Sequence, residues 1–312
     1  TEVEDIRRLQ DEINKYAPSE VICNEQFFVS GYDMEDLKNR LNVSVYSLAP
    51  HYFDEESCKK TLMRHFRVNT LKGLGIEDFP VGITAAGALL TYLYETQKTS
   101  LSHFTHIYPY LSSKYMLLDS STRRNLELLE TLREKQKKGS LLGVLDRTKT
   151  ALGGRLLRKY IEQPLIDSKR IEKRLDAVEA LCQRSVDRDE LREYLHTIYD
   201  LERLLGRVSY KTANPRDLIA LRNSLAMLPS LRTVLADFDV PLLREIRENM
   251  DPLQDIHKLI DDAITEEPPI AVREGGIIRE GFNETIDSLK KAKTHGKKWL
   301  AALEEEDRER TG

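Results

Sequence analysis

A chain of 312 residues with 40% hydrophobic and 32% charged side chains is long enough for more than one packed core and reads as helix-rich. Its formal net charge of −4 excludes a self-sufficient, charge-driven nucleic-acid binder, which would carry a basic excess, but leaves room for a local basic face. The three cysteines, Cys23, Cys58 and Cys182, are scattered without a C-x-x-C spacing, which excludes a disulfide scaffold and points to the cytoplasm.

The first hundred or so residues alternate helix and strand. Val3, Ile6, Leu9 and Ile13 fall on one face of a predicted helix, and Glu20 to Asn24 reads as a short strand. Asp33 to Leu41 is a predicted helix, Val43 to Tyr46 alternates like a strand, and Asp54 to Phe66 is helical again. A loop marked by Gly73 and Gly75 leads to an apolar helix from Val81 to Thr96. The charge-free run from Val81 to Tyr94 is too short to span a bilayer and reads as a buried helix. This is an α/β pattern with too few strands for a complete doubly wound sheet, so the sheet should have a missing or exposed edge. Glu25 at a strand end is a lone carboxylate without the partners that two-metal nuclease chemistry needs. His103 and His106 have H-x-x-H spacing but no third ligand nearby, which leaves them as loop residues.

Thr99 to Leu118, with Pro109, reads as a joint, and its apolar runs Ile107-Tyr108 and Met116 to Leu118 are candidate strands. Helices follow almost without break to about Ile264. Asp119 or Ser120 caps the first, with Arg123 and Arg124 on its surface; Lys135, Lys137 and Lys138 lie in a polar loop. Ser140 caps a short helix carrying Leu141, Leu142, Val144 and Leu145. A second helix runs from about Leu152 to Ile161, with Leu152, Leu156 and Tyr160 on one face, and Pro164 ends it. Asp167 caps a third, whose stripe Ile171, Leu175, Val178 and Cys182 should pack inward. Pro215 opens a helix with Leu218, Leu221, Leu225 and Leu228 as its buried stripe. Beyond Pro268-Pro269, Ile270 to Arg279 reads as a small β-hairpin turning at Gly275-Gly276. Asn283 caps a last helix from Glu284 to Arg310, basic at Lys290, Lys291, Lys293, Lys297 and Lys298 and acidic at Glu304 to Asp307. Ile286, Leu289, Gly296, Leu300 and Leu303 keep a seam suited to a neighbouring helix.

Gly139-Ser140-Leu141-Leu142, Val144-Leu145-Asp146, Thr148, Thr150, Gly153, Arg155 to Arg158, Pro164-Leu165 and Asp167 resemble the opening of the core, or lever, domain of MutS, the DNA mismatch-recognition ATPase family. Asp119 to Glu127, Asp200 to Leu205, Asn214 to Leu218 and Gly275 to Asn283 extend the resemblance, although the family often has arginine where Asn214 stands. The resemblance implies a mainly α chain: residues 1–107 as a partial RNase H-like α/β connector domain, incomplete at its start, and residues 108–312 as an all-helical core/lever domain with a small hairpin. It implies no enzyme in this chain, because G-x-x-x-x-G-K-[ST] is absent; Gly296-Lys297-Lys298 lacks the upstream glycine and the hydroxyl residue. ATP and magnesium would belong to the ATPase domain of the full-length family. The expected role is structural and allosteric, relaying ATPase state to DNA grip. DNA is then bound only through the full-length protein, with a MutL-type partner at the connector and a homodimeric parent. Lys290, Lys291, Lys293, Lys297 and Lys298 are the candidate DNA-proximal patch, and Lys59, Thr61 and His65 the candidate partner face. A free-standing helical scaffold and a non-specific nucleic-acid-binding module are the alternatives.

Overall fold

The computed structural model describes residues 1–16, 18–32, 35, 37–38, 43–98, 100–109 and 114–311 and, within them, all side chains other than those of 120, 294, 297–303, 309 and 311. The chain divides into two compact units, Thr1–Arg147 with Gly154–Glu172, and Thr148–Gly153 with Lys173–Gly312.

In the first unit α1 (Ile6–Tyr16) precedes β1 (Glu20–Cys23), α2 (Glu25–Phe28) and β2 (Ser44–Ser47). Among the described residues the sheet has two strands, β1 and β2, paired in parallel with Glu20 opposite Ser44 and Cys23 opposite Ser47. Ile13, Tyr32 and Leu37 pack on it with Leu9, Phe27 and Val45. The helix expected at Asp33 to Leu41 lies largely outside the described residues.

The next pair, α3 (Glu55–Phe66) and α4 (Pro80–Gln97), forms a second core around Leu62, Leu71, Ile76, Ile83, Leu90 and Leu101. Asp54 caps α3 by accepting from the Ser57 amide at 2.9 Å, and Pro80 opens α4, where its missing amide hydrogen costs nothing. The two helices meet at Gly87, where an added methyl would lie 2.4 Å from Cys58 Cβ and 2.6 Å from its Cα. The Cys58 thiol donates to the carbonyls of Tyr52 or Thr84, at 3.2 and 3.3 Å, and its burial pushes its pKa up. It is a packing residue and not a reactive one.

The joint contains no strand among its described residues. An isolated bridge instead pairs Tyr115 with Leu165, and the Met116 amide donates to the Pro164 carbonyl at 2.8 Å. Then come α5 (Ser120–Asn125), α6 (Leu141–Leu145) and α7 (Ala151–Glu162). Asp119 caps α5 and Ser140 caps α6, as their side chains and positions predict. The Ser140 hydroxyl is buried within reach of the Lys137 and Leu129 carbonyls, at 2.7 and 3.0 Å. Leu128, Leu142 and Ile161 form the small core here.

The second unit is helical: α8 (Ser168–Gln183), whose later turns belong to it, then α9 (Ser185–His196), α10 (Leu201–Ser209), α11 (Pro215–Ala226), α12 (Leu228–Ala236), α13 (Pro241–Asn249), α14 (Gln254–Ala263) and α15 (Glu284–Thr311). One core gathers Ala177, Leu191, Leu231, Val234, Leu235, Phe238 and Leu243; another gathers Leu204, Leu221, Leu225, Ile260, Ala263 and Ile264.

Two facing assignments are corrected. On α8, Leu175 and Val178 are 59% and 56% exposed, and Ile171 and Cys182 are exposed too. The packed side is Ala177 with Ala180 and Leu181. Both stripes have helical spacing, and the alanine side lets neighbouring helices approach closely, so packing chose the less hydrophobic one. On α7, Leu156 and Tyr160 face out while Ile161 and Leu157 pack inward. The expected hairpin is also differently built. Val272–Glu274 is a 3-10 turn, and the strand-like pairing joins Ile264 to Ile278 across the intervening loop.

Two consequences are measurable by denaturant unfolding. Gly87→Ala should lose about 1–3 kcal/mol by overpacking, whereas Gly73→Ala, with open space at its Cα, should stay within about 0.5 kcal/mol. Leu175→Ala should likewise change stability by no more than about 0.5 kcal/mol, while Leu231→Ala in the core should cost about 2–5 kcal/mol.

Candidate interaction surfaces and the anchor of the last helix

The lysine-rich helix α15 is only as well placed as its first turn. That turn is fixed from below. The Thr265 amide donates to the Ile277 carbonyl at 2.9 Å, and the Arg279 amide to the Ala263 carbonyl at 2.8 Å, closing the Ile264–Ile278 bridge. Asn283 then caps α15 through the Ile286 amide at 3.1 Å, and Asp287 accepts from the Gly281 amide at 2.8 Å.

Under this bridge lies Arg222 of α11, only 8% exposed. Its guanidinium donates to Asp261 of α14 at 2.9 Å and forks onto both carboxylate oxygens of Glu266, at 3.0 and 2.7 Å. The remaining donors reach Asn223 Oδ1 at 3.2 and 3.0 Å. Arg279 stands within 3.9 and 3.7 Å of the same two carboxylates and donates to the Ile264 carbonyl. The hydrogen bond from Arg222, with the positive charges of Arg222 and Arg279, holds the Glu266 carboxyl below its ordinary pKa.

Of the five candidate lysines, three have described side chains. Lys290 Nζ turns back to the Ile278 carbonyl at 2.5 Å, so it belongs to the anchor. Lys291 and Lys293 are exposed. Lys297 and Lys298 have side chains outside the described residues. In the polar loop, Lys137 pairs with Asp146.

On α3, Lys59 lies along its own helix, paired with Glu55 at 2.6 Å and Glu56 at 3.7 Å. Thr61 is half-buried. His65 is corrected: it does not face outward. Its Nε2 lies 2.8 Å from the Phe104 carbonyl, which can only accept, so Nε2 carries the hydrogen. Nδ1 then accepts from the Tyr94 hydroxyl at 2.6 Å. The ring ties α3 to α4 and to the following loop. Nothing in local spacing announces this, because the carbonyl comes from residue 104.

Asn214 is the residue whose role sequence reasoning left open. It caps α11 in a reciprocal box: Asn214 Oδ1 accepts from the Asp217 amide, and Asp217 Oδ2 from the Asn214 amide, both at 3.0 Å. Arg207 grips the same Asp217 at 2.8 and 3.0 Å. The Asn-Pro-x-Asp spacing was the available signal. Beside it lies an open groove of about 540 Å³, with Leu204, Ile219, Ala220 and Pro268 among its lining and Arg216, Asn223 and Glu267 around it. Among the described residues no group of three or more His, Cys, Asp or Glu could hold a metal ion. No described helix is long and apolar enough to cross a membrane.

The model of MutS domain II matches residues 1–105, and that of MutS domain III matches residues 121–310. The DNA mismatch repair protein MutS of Lachnoclostridium phytofermentans is 57% identical over 312 residues, covering 100% of this chain and 34% of that protein. The proteins of the same name from Ruminiclostridium cellulolyticum and Caldanaerobacter subterraneus are each 46% identical, over 305 and 306 residues, covering 98% of this chain and 35% of their own length. The chain therefore spans about a third of the length of these curated relatives.

Two predictions follow from the contacts. His65→Ala should cost about 1–3 kcal/mol in unfolding free energy, because it strands a carbonyl and a hydroxyl. Glu266→Gln should destabilise at neutral pH and progressively less in acid. The carboxyl of Glu266 is depressed when folded, so its contribution is present above the ordinary carboxylate pKa and disappears as pH falls through the folded value. Urea titrations of both proteins from neutral to acid pH read this as converging curves.

Proposed function

The chain belongs to the MutS family, and from that premise we propose that it relays movement in a mismatch repair protein, coupling ATPase state to DNA grip. The observation that carries this reading is the continuous path within the second unit, from α11 through Arg222, Asp261 and Glu266 to the Ile264–Ile278 bridge and the second turn of α15. A displacement at α11 reaches the base of a 28-residue helix through short, directional contacts, and a rigid helix carries it over its length.

On this reading the segment is not itself an enzyme. ATP and magnesium are held elsewhere in a longer protein, and the segment works in the cytoplasm. Mismatched DNA is gripped by the whole protein, which pairs as a homodimer. By itself the chain is a weak, non-specific DNA ligand at most. Lys291 and Lys293 offer little counterion release against a net charge of −4. A MutL-type partner meets the charged side of α3, where exposed Arg64 and the half-buried, glutamate-paired Lys59 remain once His65 is committed inward.

Full-length protein carrying Arg222→Met tests the relay. Mismatch binding without nucleotide should persist, while ATP-driven release from the mismatch should slow at least several-fold. Unchanged release kinetics in a folded variant would contradict the relay. Titration of the isolated chain with matched and mismatched duplexes should give Kd no tighter than ~10⁻⁴–10⁻⁶ M at physiological salt, without preference between them. Submicromolar, mismatch-selective binding would favour a direct nucleic-acid module.

A further inference from the structure

Inside the first unit, a cavity of about 20 Å³ is lined by Asp11, Glu12 and Lys15 of α1, by residues 115–118, by Arg123 of α5 and by Glu162 and Gln163 at the end of α7. Lys15 is almost fully buried and satisfied by Glu12 at 2.9 Å. Two other side chains of this lining each carry a polar atom that is shut off from solvent and has no hydrogen-bond partner in the protein: Arg123 Nε and Gln163 Oε1. Gln163 is only 6% exposed, so its carbonyl oxygen cannot reach bulk water. An orphaned donor and an orphaned acceptor around one small polar cavity specify the chemistry of what fills it.

We propose that this cavity is a binding site for one ordered water molecule, which accepts from the Arg123 Nε–H and donates to Gln163 Oε1. The volume matches the size of the ligand, since a single water needs roughly 10–15 Å³ of such space. The polarity decides its kind. A metal ion cannot accept from a guanidinium, and a halide cannot donate to an amide oxygen. Water does both, and its second hydrogen is directed into a lining that holds the carboxylates of Asp11, Glu12 and Glu162.

The site has a structural consequence. Asp11 to Lys15 lie in the stretch matched by domain II of the family, whereas Arg123 and Gln163 lie in the stretch matched by domain III. The water mortises the two stretches into a single compact unit. They then move together, and a hinge between them does not open at this point without breaking its hydrogen bonds.

A high-resolution crystal structure of the full chain, grown in bromide, tests the proposal. The expected result is one solvent peak within hydrogen-bonding distance of both atoms and without anomalous signal. In solution, oxygen-17 relaxation dispersion should show one fewer long-lived water in Gln163→Met than in the native chain, and no loss in Gln163→Glu, which keeps an acceptor. If Gln163→Met does not fold, the native crystal decides alone. An anomalous bromide peak, a direct Arg123–Gln163 hydrogen bond closing a dry cavity, or an unchanged water count in folded Gln163→Met would each overturn it.

Discussion

The Arg222 guanidinium is the constraint on which the second unit depends. A buried cation of this kind is tolerated only if its donors are met, and here Asp261, Glu266 and Asn223 meet them from three places in the chain. Glu266 is free to do so only because α14 ends at Ala263 and the chain leaves it as the Ile264–Ile278 bridge. Arg279, whose own amide closes that bridge on the Ala263 carbonyl, approaches the same carboxylates and so ties the exit of the loop to its entry. The geometry of α15 is inherited from these contacts, since Lys290 fastens its second turn to the Ile278 carbonyl.

The first unit is held differently. Its cores are small and separate, and close backbone approach does much of the work. Gly87 against Cys58 lets α3 and α4 meet, and Ser140 closes the turn from which α6 starts. The His65 ring, held by the Tyr94 hydroxyl and the Phe104 carbonyl, adds specific polar links between segments distant in sequence. Such links cost little when fully satisfied and much when broken, which makes the arrangement well defined despite limited apolar burial.

Much of this was legible in the residues. Asp119, Ser140, Asp167 and Asn283 each cap the helix their position announces, and the strands at Val21 and Val45 pair as short strands should. These are local signals, decided by a few neighbouring atoms. What was not legible is non-local. The choice between the two stripes of α8 turned on which neighbours arrive, and alanines won over Leu175 and Val178. The commitment of His65 depended on a carbonyl at Phe104, and the second strand-like partner of Ile278 lay across a loop at Ile264 and not across the glycines. Of the candidate surfaces, Lys291 and Lys293 stand where helical spacing put them, but Lys290 was taken by the anchor.

The central claim is that Arg222 sets the base of α15. Hydrogen exchange on the native chain and on Arg222→Met measures it directly. The account predicts that the amides of Thr265 and Arg279, and those of the first turns of α15, lose protection in the variant while α9 and α12 keep theirs. Protection of residues 264–290 that is unchanged by the substitution, with the variant folded, would contradict it.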